Sequence, residues 1–351
     1  MKRNIKNLLL PVAVVAALSF AACGDWVEPE SLDIKNPSLE EQNPALYAQY
    51  MEALRAYKAG DHKVVFVTMD NPVNAAPAIR PQHLTTLPDS VDFIVLNNPD
   101  NLHPDLVKEM TEVRKKGTRV LYSMSFDTYE SAWGKMVKEN PELTEEEALA
   151  YFSACAEKDL ALCDKYGYDG LIFGYTGRAL VSIRDEELPA YNARQQAYLN
   201  PVTAWKAAHK QHVCIFSGRA DNLLEENRTV LGECNYIVVP TDGVQNEDDL
   251  SLKALTVVKA AGVPADRVVV TALEIRPDDK DKVFGYFGTK DENGEKVRAL
   301  YATAVWATLP SPTFTRAGIL VKDSENDYYN RTLIYPHLRE AISIMNPSPK
   351  N

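Results

Sequence analysis

Eight short apolar segments, separated by longer amphipathic ones, most constrain how this chain folds. Each is nearly continuous in Val, Ile, Leu and Phe and is bounded by polar or turn residues, which is typical of a strand buried on both faces of a parallel sheet. The predicted strands are 64–69, 91–96, 119–125, 168–175, 212–217, 236–240, 268–273 and 318–322. Helical periodicity predicts helices over 45–59, 104–116, 144–165, 191–210, 250–261, 295–308 and 333–344.

Strand and helix alternate through most of the chain, and this order predicts one fold class. A single-domain α/β protein built as a (β/α)8 TIM-type barrel accounts for it, with the barrel domain over residues 44–346 and a short tail over 347–351. An open, doubly wound sheet is the alternative. It is disfavoured because no predicted strand is followed by a glycine-rich phosphate-binding turn.

The carboxyl ends of barrel strands are where sites form in this architecture. In this chain those positions are polar, rich in amides and accompanied by aromatic side chains, a combination that suits a hydroxyl-rich ligand. The predicted ligand-binding residues are Asp70, Asn71, Asn97, Phe126, Tyr175, Thr176, Asp242, Glu274, Tyr286 and Asp323.

The N-terminus has the features of an export signal. Basic residues precede a short apolar run, and residues 18–23 end in Ala21-Ala22-Cys23, which resembles the lipobox of bacterial lipoproteins. This resemblance implies a signal peptide over 1–22, lipidation at Cys23 and a polar tether over 23–43. The acidic residues after Cys23 resemble the surface-export signal of lipoproteins in Gram-negative glycan degraders. We therefore expect the protein to be lipid-anchored in the outer membrane and exposed on the cell surface.

Charge and residue spacing exclude several classes of partner. The chain has 38 Lys and Arg against 49 Asp and Glu, a formal net charge of −11, which disfavours a nucleic-acid partner. The six histidines form neither HxH nor HExxH, so no metal site or other cofactor is expected. Cys155 and Cys163 lie too far apart along one predicted helix to be bridged. Cys214 and Cys234 remain a possible pair, although buried free thiols are preferred.

The fourth predicted strand carries a family resemblance. Residues 166–177 read YGYDGLIFGYTG, which resembles the fourth strand of glycoside hydrolase family 18, the chitinases and endo-β-N-acetylglucosaminidases, with its signature DGxDxDxE. Asp169 and Gly170 match the opening of the signature. The third strand and residues 335–347 also resemble this family, the latter its lipoprotein branch. The resemblance implies the barrel fold and N-acetylglucosamine-containing glycans, such as N-glycans, as ligands.

The chemical part of that signature is missing. Its second Asp, third Asp and Glu fall on Ile172, Gly174 and Thr176, which alternation places on one inward face of the strand. In the family, the Glu protonates the glycosidic oxygen while the substrate's acetamido group attacks, oriented by an Asp. A threonine hydroxyl cannot act as that acid near neutral pH. No catalytic residue is therefore assigned.

Three interpretations follow. The preferred one is a non-catalytic surface lipoprotein that captures N-acetylglucosamine-containing glycans for uptake and degradation. The second is an active hydrolase that uses a displaced carboxylate, with Glu274, Asp242 or Asp70 as candidates. The third is a scaffold that binds other outer-membrane proteins of a glycan-uptake complex.

Overall fold

The predicted barrel is confirmed. The computed structural model describes residues 38–280, 282–329 and 333–348. Eight parallel strands close in the order β1-β10-β7-β6-β5-β4-β3-β2, and two further strands form a separate antiparallel hairpin. The barrel strands are β1 (Val64–Met69), β2 (Phe93–Leu96), β3 (Arg119–Ser125), β4 (Gly170–Tyr175), β5 (Val213–Gly218), β6 (Tyr236–Val239), β7 (Val268–Leu273) and β10 (Arg316–Lys322). The hairpin strands are β8 (Tyr286–Lys290) and β9 (Lys296–Arg298).

Helices alternate with the barrel strands along the chain, as the sequence pattern predicts. They are α1 (Leu39–Gln42), α2 (Pro44–Ala59), α3 (Pro104–Lys115), α4 (Phe126–Glu139), α5 (Glu145–Leu160), α6 (Leu162–Tyr166), α7 (Leu188–Ala208), α8 (Glu247–Val258), α9 (Ala299–Thr308) and α10 (Pro336–Met345). Several short 3-10 turns lie between these elements, among them Ser324–Asp327 after β10. Within the described ranges, no helix is both long and apolar enough to cross a membrane.

Several elements differ from the sequence prediction, the unpredicted β8–β9 hairpin among them. Helix α4 follows β3 directly, with Ser125 as its N-cap residue, and was not predicted. The predicted helix over 295–308 begins only at Ala299, because residues 296–298 pair with β8 in the hairpin. Helix α1 lies within the predicted tether, where Ser38 and Glu41 form a reciprocal capping box. Signal-peptide residues 1–22 and Cys23 lie outside the described residues.

The chain divides into two units, with the boundary between Gln49 and Tyr50. Residues 38–49 of the first unit contain α1 and the start of α2, and every barrel strand lies in the second. The predicted domain boundary at residue 44 remains a prediction.

Alternation along the strands builds two separate apolar cores. Inward side chains fill the barrel, with Phe66 stacked on Phe93 at a ring-centroid distance of 4.3 Å near its amino end and Ile172 higher up. Outward side chains such as Phe173 and Tyr175 pack instead against the helices. The parity of a residue along its strand therefore decides whether it faces the barrel interior or the helix layer.

All four cysteines in the described ranges are free. Cys163, Cys214 and Cys234 are buried, and Cys155 is partly buried. Burial raises the pKa of the Cys163 thiol to about 12, because the thiolate would lose its hydration there. Cys214 and Cys234 thus stay unpaired, as buried small apolar residues.

Candidate functional site at the barrel mouth

A cavity of about 410 Å³ opens at the carboxyl end of the barrel. Six hydroxyl side chains line it together with the amide of Asn97: Thr68, Ser123, Ser125, Thr176, Ser217 and Thr271. Its floor is apolar and includes Val95, Ile172 and Leu320. The cavity therefore offers many neutral donors and acceptors above a water-excluding base, which suits a polyhydroxylated ligand.

The signature positions of β4 lie in this cavity but carry no ionisable group. Ile172 is 3% exposed and belongs to the apolar core inside the barrel. Gly174 and Thr176 line the cavity above it, and Thr176 is exposed. A proton donor for a glycosidic oxygen must titrate near the working pH, and none of these three side chains does so.

Asp169 and Gly170, which match the opening of the family signature, lie at the amino end of β4 and have a structural role. Asp169 Oδ2 accepts the N–H of Val120 at 2.7 Å and also contacts the Arg114 Nε at 2.9 Å, which ties β3, α3 and β4 together. Gly170 has a φ of +153°, and a Cβ there would collide with the backbone carbonyl of Val213 on β5. Asp169 and Gly170 are thus needed for closing the barrel and lie away from the mouth.

Asp127 is a carboxylate of the mouth that the sequence analysis did not select. It lies in the first turn of α4 and lines the cavity. Its Oδ2 accepts the N–H of Thr176 at 3.0 Å, and its Oδ1 accepts that of Gly177 at 3.3 Å. Asp127 therefore fixes the loop that follows β4. An acidic residue two positions beyond the end of β3 was the signal available in the sequence.

An ion pair between Lys322 and Asp242 lies at the edge of the mouth. Lys322 Nζ lies 2.5 Å from Asp242 Oδ2, and Thr271 donates its hydroxyl to Asp242 Oδ1 at 2.8 Å. Lys322 lines the mouth cavity, whereas Asp242 lines a neighbouring cavity of about 680 Å³ that also contains Tyr286. The Asp242–Lys322 pair thus separates the two cavities.

The remaining polar candidates divide between the rim and loop structure. Asn97 is exposed in the mouth, and Asp323 lines it with a left-handed backbone. Asn71 is buried: its amide donates to the Asn98 carbonyl at 2.8 Å and its Oδ1 accepts the Asn98 N–H at 3.0 Å. Asp70 is exposed beside the Asn98 amide, at 3.3 Å. Asn71 therefore joins the loops after β1 and β2 and is not accessible to a ligand.

Phe126 and Tyr175 are corrections to the predicted ligand-binding set. Tyr175 has the outward parity of β4 and is 1% exposed, with its hydroxyl accepting from Gln195 Nε2 at 2.8 Å. Burial raises its pKa far above the usual value for tyrosine. Phe126 packs against this ring at a centroid distance of 5.2 Å. Both aromatic rings belong to the helix layer, so neither is available for stacking on a sugar.

Glu274 is a further correction to the predicted ligand-binding set, after Asn71, Phe126 and Tyr175. It follows β7 with outward parity, is 1% exposed and accepts from His337 Nδ1 at 2.7 Å. Asp327 Oδ1 lies 3.2 Å from the same nitrogen. Burial, reinforced by the charge of Glu274, raises the pKa of Asp327 to about 6. Glu274 lies outside the mouth cavity and cannot be a displaced catalytic acid there.

Comparisons with known proteins agree with this architecture. The family model described as glycoside hydrolase family 18, BT1044-like, matches residues 27–344. A solved structure of a BT1044 variant has a TM-score of 0.64 at 18% identity, covering 89% of this chain and 96% of that one. No curated protein sequence matches the chain.

Two structures of an endo-β-N-acetylglucosaminidase from Cordyceps militaris are also similar. The apo form has a TM-score of 0.59 at 16% identity, covering 85% of this chain and 96% of that one. A double mutant in complex with fucosyl-N-acetylglucosamine-Asn has a TM-score of 0.55 at 14% identity, covering 85% and 95%. At these identities the structures show a common fold. Since the family model spans most of the sequence, the chain belongs to glycoside hydrolase family 18, in its BT1044-like group.

Proposed function

We propose that this protein binds N-acetylglucosamine-containing glycans at the barrel mouth without hydrolysing them. The observation that carries the proposal is the chemistry of β4: a hydroxyl-lined cavity is kept, while Ile172, Gly174 and Thr176 occupy the positions of the family's acidic residues. Hydroxyls and amides bind sugars through neutral hydrogen bonds, which does not require a titrating group. Loss of the acid and of the acetamido-orienting Asp removes the reaction but leaves recognition possible.

The ligand class is inferred from the family and from one relative. The Cordyceps militaris double mutant is in complex with fucosyl-N-acetylglucosamine-Asn. In this chain the mouth and the neighbouring cavity, about 410 and 680 Å³, lie on either side of the Asp242–Lys322 pair. Tyr286 gives the second cavity an aromatic face, so a branched chain fits the two cavities better than a monosaccharide does.

A second candidate function is residual hydrolysis, favoured by one observation. Asp127 is a carboxylate in the mouth next to Thr176, the position of the family's acid. Both of its oxygens already accept backbone N–H groups, and an acid used in this position would have to give up that loop contact. The earlier candidates are weaker, since Glu274 is outside the mouth and Asp242 is held by Lys322. Asp70 lies beside the Asn98 amide and does not line the mouth cavity.

The cellular setting is part of the same proposal. Lipidation at Cys23 would anchor the chain to the outer membrane, and the predicted tether over 23–43 would separate the barrel from the lipid. On the cell surface, a non-hydrolysing glycan binder would supply intact chains to outer-membrane uptake proteins. A scaffold that binds only those proteins is the competing interpretation, and direct sugar binding distinguishes the two.

The test combines calorimetric binding with product analysis on the same purified protein. Titration with N-glycan core oligosaccharides and chitin oligomers should give saturable heats, and mass spectrometry should detect no cleavage. Asn97→Ala, which removes an exposed amide in the mouth, should weaken binding by about tenfold, the effect of one lost polar contact. Asn140→Ala, an exposed amide at the end of α4, is the matched control and should leave affinity unchanged.

Each result decides between the candidates. Cleavage that persists on repurification and disappears in Asp127→Asn would establish the hydrolase. Absence of binding to every oligosaccharide, with the protein folded and membrane partners captured, would favour the scaffold. Binding that is equally strong in Asn97→Ala and in the wild type would place the ligand outside the mouth.

A further inference from the structure

Three potential metal ligands from distant parts of the sequence meet beside the barrel, outside the mouth. Glu274 follows β7, Asp327 ends the 3-10 turn after β10, and His337 lies in the first turn of α10. One ligand atom from each lies within 4.8 Å of the others. His337 Nδ1 lies between the two carboxylates, 2.7 Å from Glu274 Oε1 and 3.2 Å from Asp327 Oδ1.

One buried carboxylate oxygen of the cluster has no hydrogen-bond partner among the described residues. This atom is Oε2 of Glu274, a residue that is 1% exposed. Leaving a buried carboxylate oxygen unpaired costs more than leaving a neutral one, so such atoms normally have a partner. Asp327 also keeps one contact that positions it, because its Oδ2 accepts the N–H of Leu338 at 2.9 Å.

Acidic groups outnumber basic ones in this cluster, because two buried carboxylates face one imidazole. Arg298 acts electrostatically on His337, and its Nη2 is paired with Glu340 at 2.7 Å. A divalent cation would supply positive charge and a partner for Glu274 Oε2.

From this geometry we propose that Glu274, Asp327 and His337 form a zinc-binding site. One imidazole nitrogen and two carboxylates are a donor set that suits zinc, whereas calcium and magnesium prefer more oxygen ligands. Tetrahedral zinc at about 2.0 Å from its ligands needs them roughly 3.3 Å apart. The Nδ1–Oδ1 distance of 3.2 Å already meets this, and Glu274 can offer either oxygen.

The site can be reached from outside and links three segments. The side chain of His337 is 24% exposed, which leaves a path for the ion and for a water as the fourth ligand. In the metal-free form, His337 Nδ1 lies between the two carboxylates. On binding, zinc would take the place of the proton on this nitrogen. A bound ion would hold the end of β7, the turn after β10 and the start of α10 together, so its effect is on stability.

The test is zinc titration of the full chain, purified without a polyhistidine tag and stripped with EDTA. At about pH 7.5, where these ligands are available, calorimetry should show one zinc bound per chain. The melting temperature of the protein should rise by roughly 3 °C or more when the free zinc concentration is about 100 times the Kd for zinc. Glu274→Gln and His337→Gln should each weaken binding at least about tenfold. His209→Gln, which alters another histidine near a carboxylate, Asp164 at 3.3 Å, is the control and should bind normally.

Cobalt substitution keeps the proposal testable if a variant fails to fold. Cobalt bound to wild-type protein should show the visible absorption of a four-coordinate nitrogen–oxygen site, and zinc should displace it. Absence of stoichiometric zinc uptake by the wild type would overturn the proposal. So would zinc affinity that is unchanged in folded His337→Gln, or calcium binding in place of zinc.

Discussion

Reintroducing the first lost acidic residue, by Ile172→Asp, should destabilise the barrel before it restores any chemistry. The Ile172 side chain is 3% exposed and packs inside the barrel among residues such as Val95 and Leu320. Removing it forfeits about 1.5–3 kcal/mol of apolar burial. Burying a carboxyl group in its place adds about 1–3 kcal/mol. We therefore expect the free energy of unfolding to fall by about 2.5–6 kcal/mol at pH 7.

The pH dependence of the variant tests the cause. In the folded state the apolar surroundings raise the pKa of the new carboxyl above its unfolded value of about 3.9. The folded state then binds more protons than the unfolded one, so stability falls as pH rises between the two pKa values. Ile172→Asp should consequently lose more stability at pH 7 than at pH 4, relative to wild type at each pH.

Urea unfolding followed by circular dichroism measures both effects. Ile172→Val, which removes one methyl group at the same site, should cost only about 0.5–1.5 kcal/mol and serves as the packing control. If Ile172→Asp costs less than about 1 kcal/mol at pH 7, then water enters the barrel at this level. In that case, our argument that the core there has become apolar is wrong.

Three further predictions address other parts of the chain. Thr176→Glu should fold normally but give no N-glycan cleavage near the rate of active relatives, because an acid needs supporting groups and Ile172 and Gly174 provide none. His62 Nε2 lies 2.9 Å from Asp92 Oδ1, and this hydrogen bond raises the pKa of His62 in the folded state. The free energy of unfolding should therefore decline as pH rises from about 6.5, the ordinary value for histidine, through the raised pKa. Urea unfolding of His62→Gln should show a flatter decline. Cys23→Ala should release folded protein from the membrane fraction, and retention there would contradict the lipid anchor.

The fold was predictable because burial on both faces gives barrel strands a strong sequence pattern. All eight predicted strands are barrel strands, with ends shifted by a few residues. Helix α4 was missed although Phe126, Tyr129 and Trp133 have helical spacing, because it begins directly at the end of β3 without a turn signal. The hairpin was missed since its strands, β8 and β9, are short and largely polar.

The site was predictable only as far as the alternation rule was applied. Because Ile172 faces the barrel interior, alternation along β4 predicts that Thr176 also faces inward and that Tyr175 faces the helices. The structure shows this arrangement. The same rule along β7 selects Thr271 and rejects Glu274. What alternation cannot supply is a contact between loops, which is why the position of Asp127 beside Thr176 required the structure.

Substitution of Gly170 and of Gly174 in β4 tests which positions of the family signature the fold requires. At Gly170, a Cβ would overlap the Val213 carbonyl and the φ of +153° disfavours any side chain, so Gly170→Ala should cost at least about 3 kcal/mol or prevent folding. At Gly174, a Cβ would only touch Met124 and Ser125 at 3.4 Å, so Gly174→Ala should stay within about 1 kcal/mol of wild type. Urea unfolding of both variants measures the contrast. Equal costs would contradict the view that Asp169 and Gly170 persist for barrel closure while the mouth positions are free to vary.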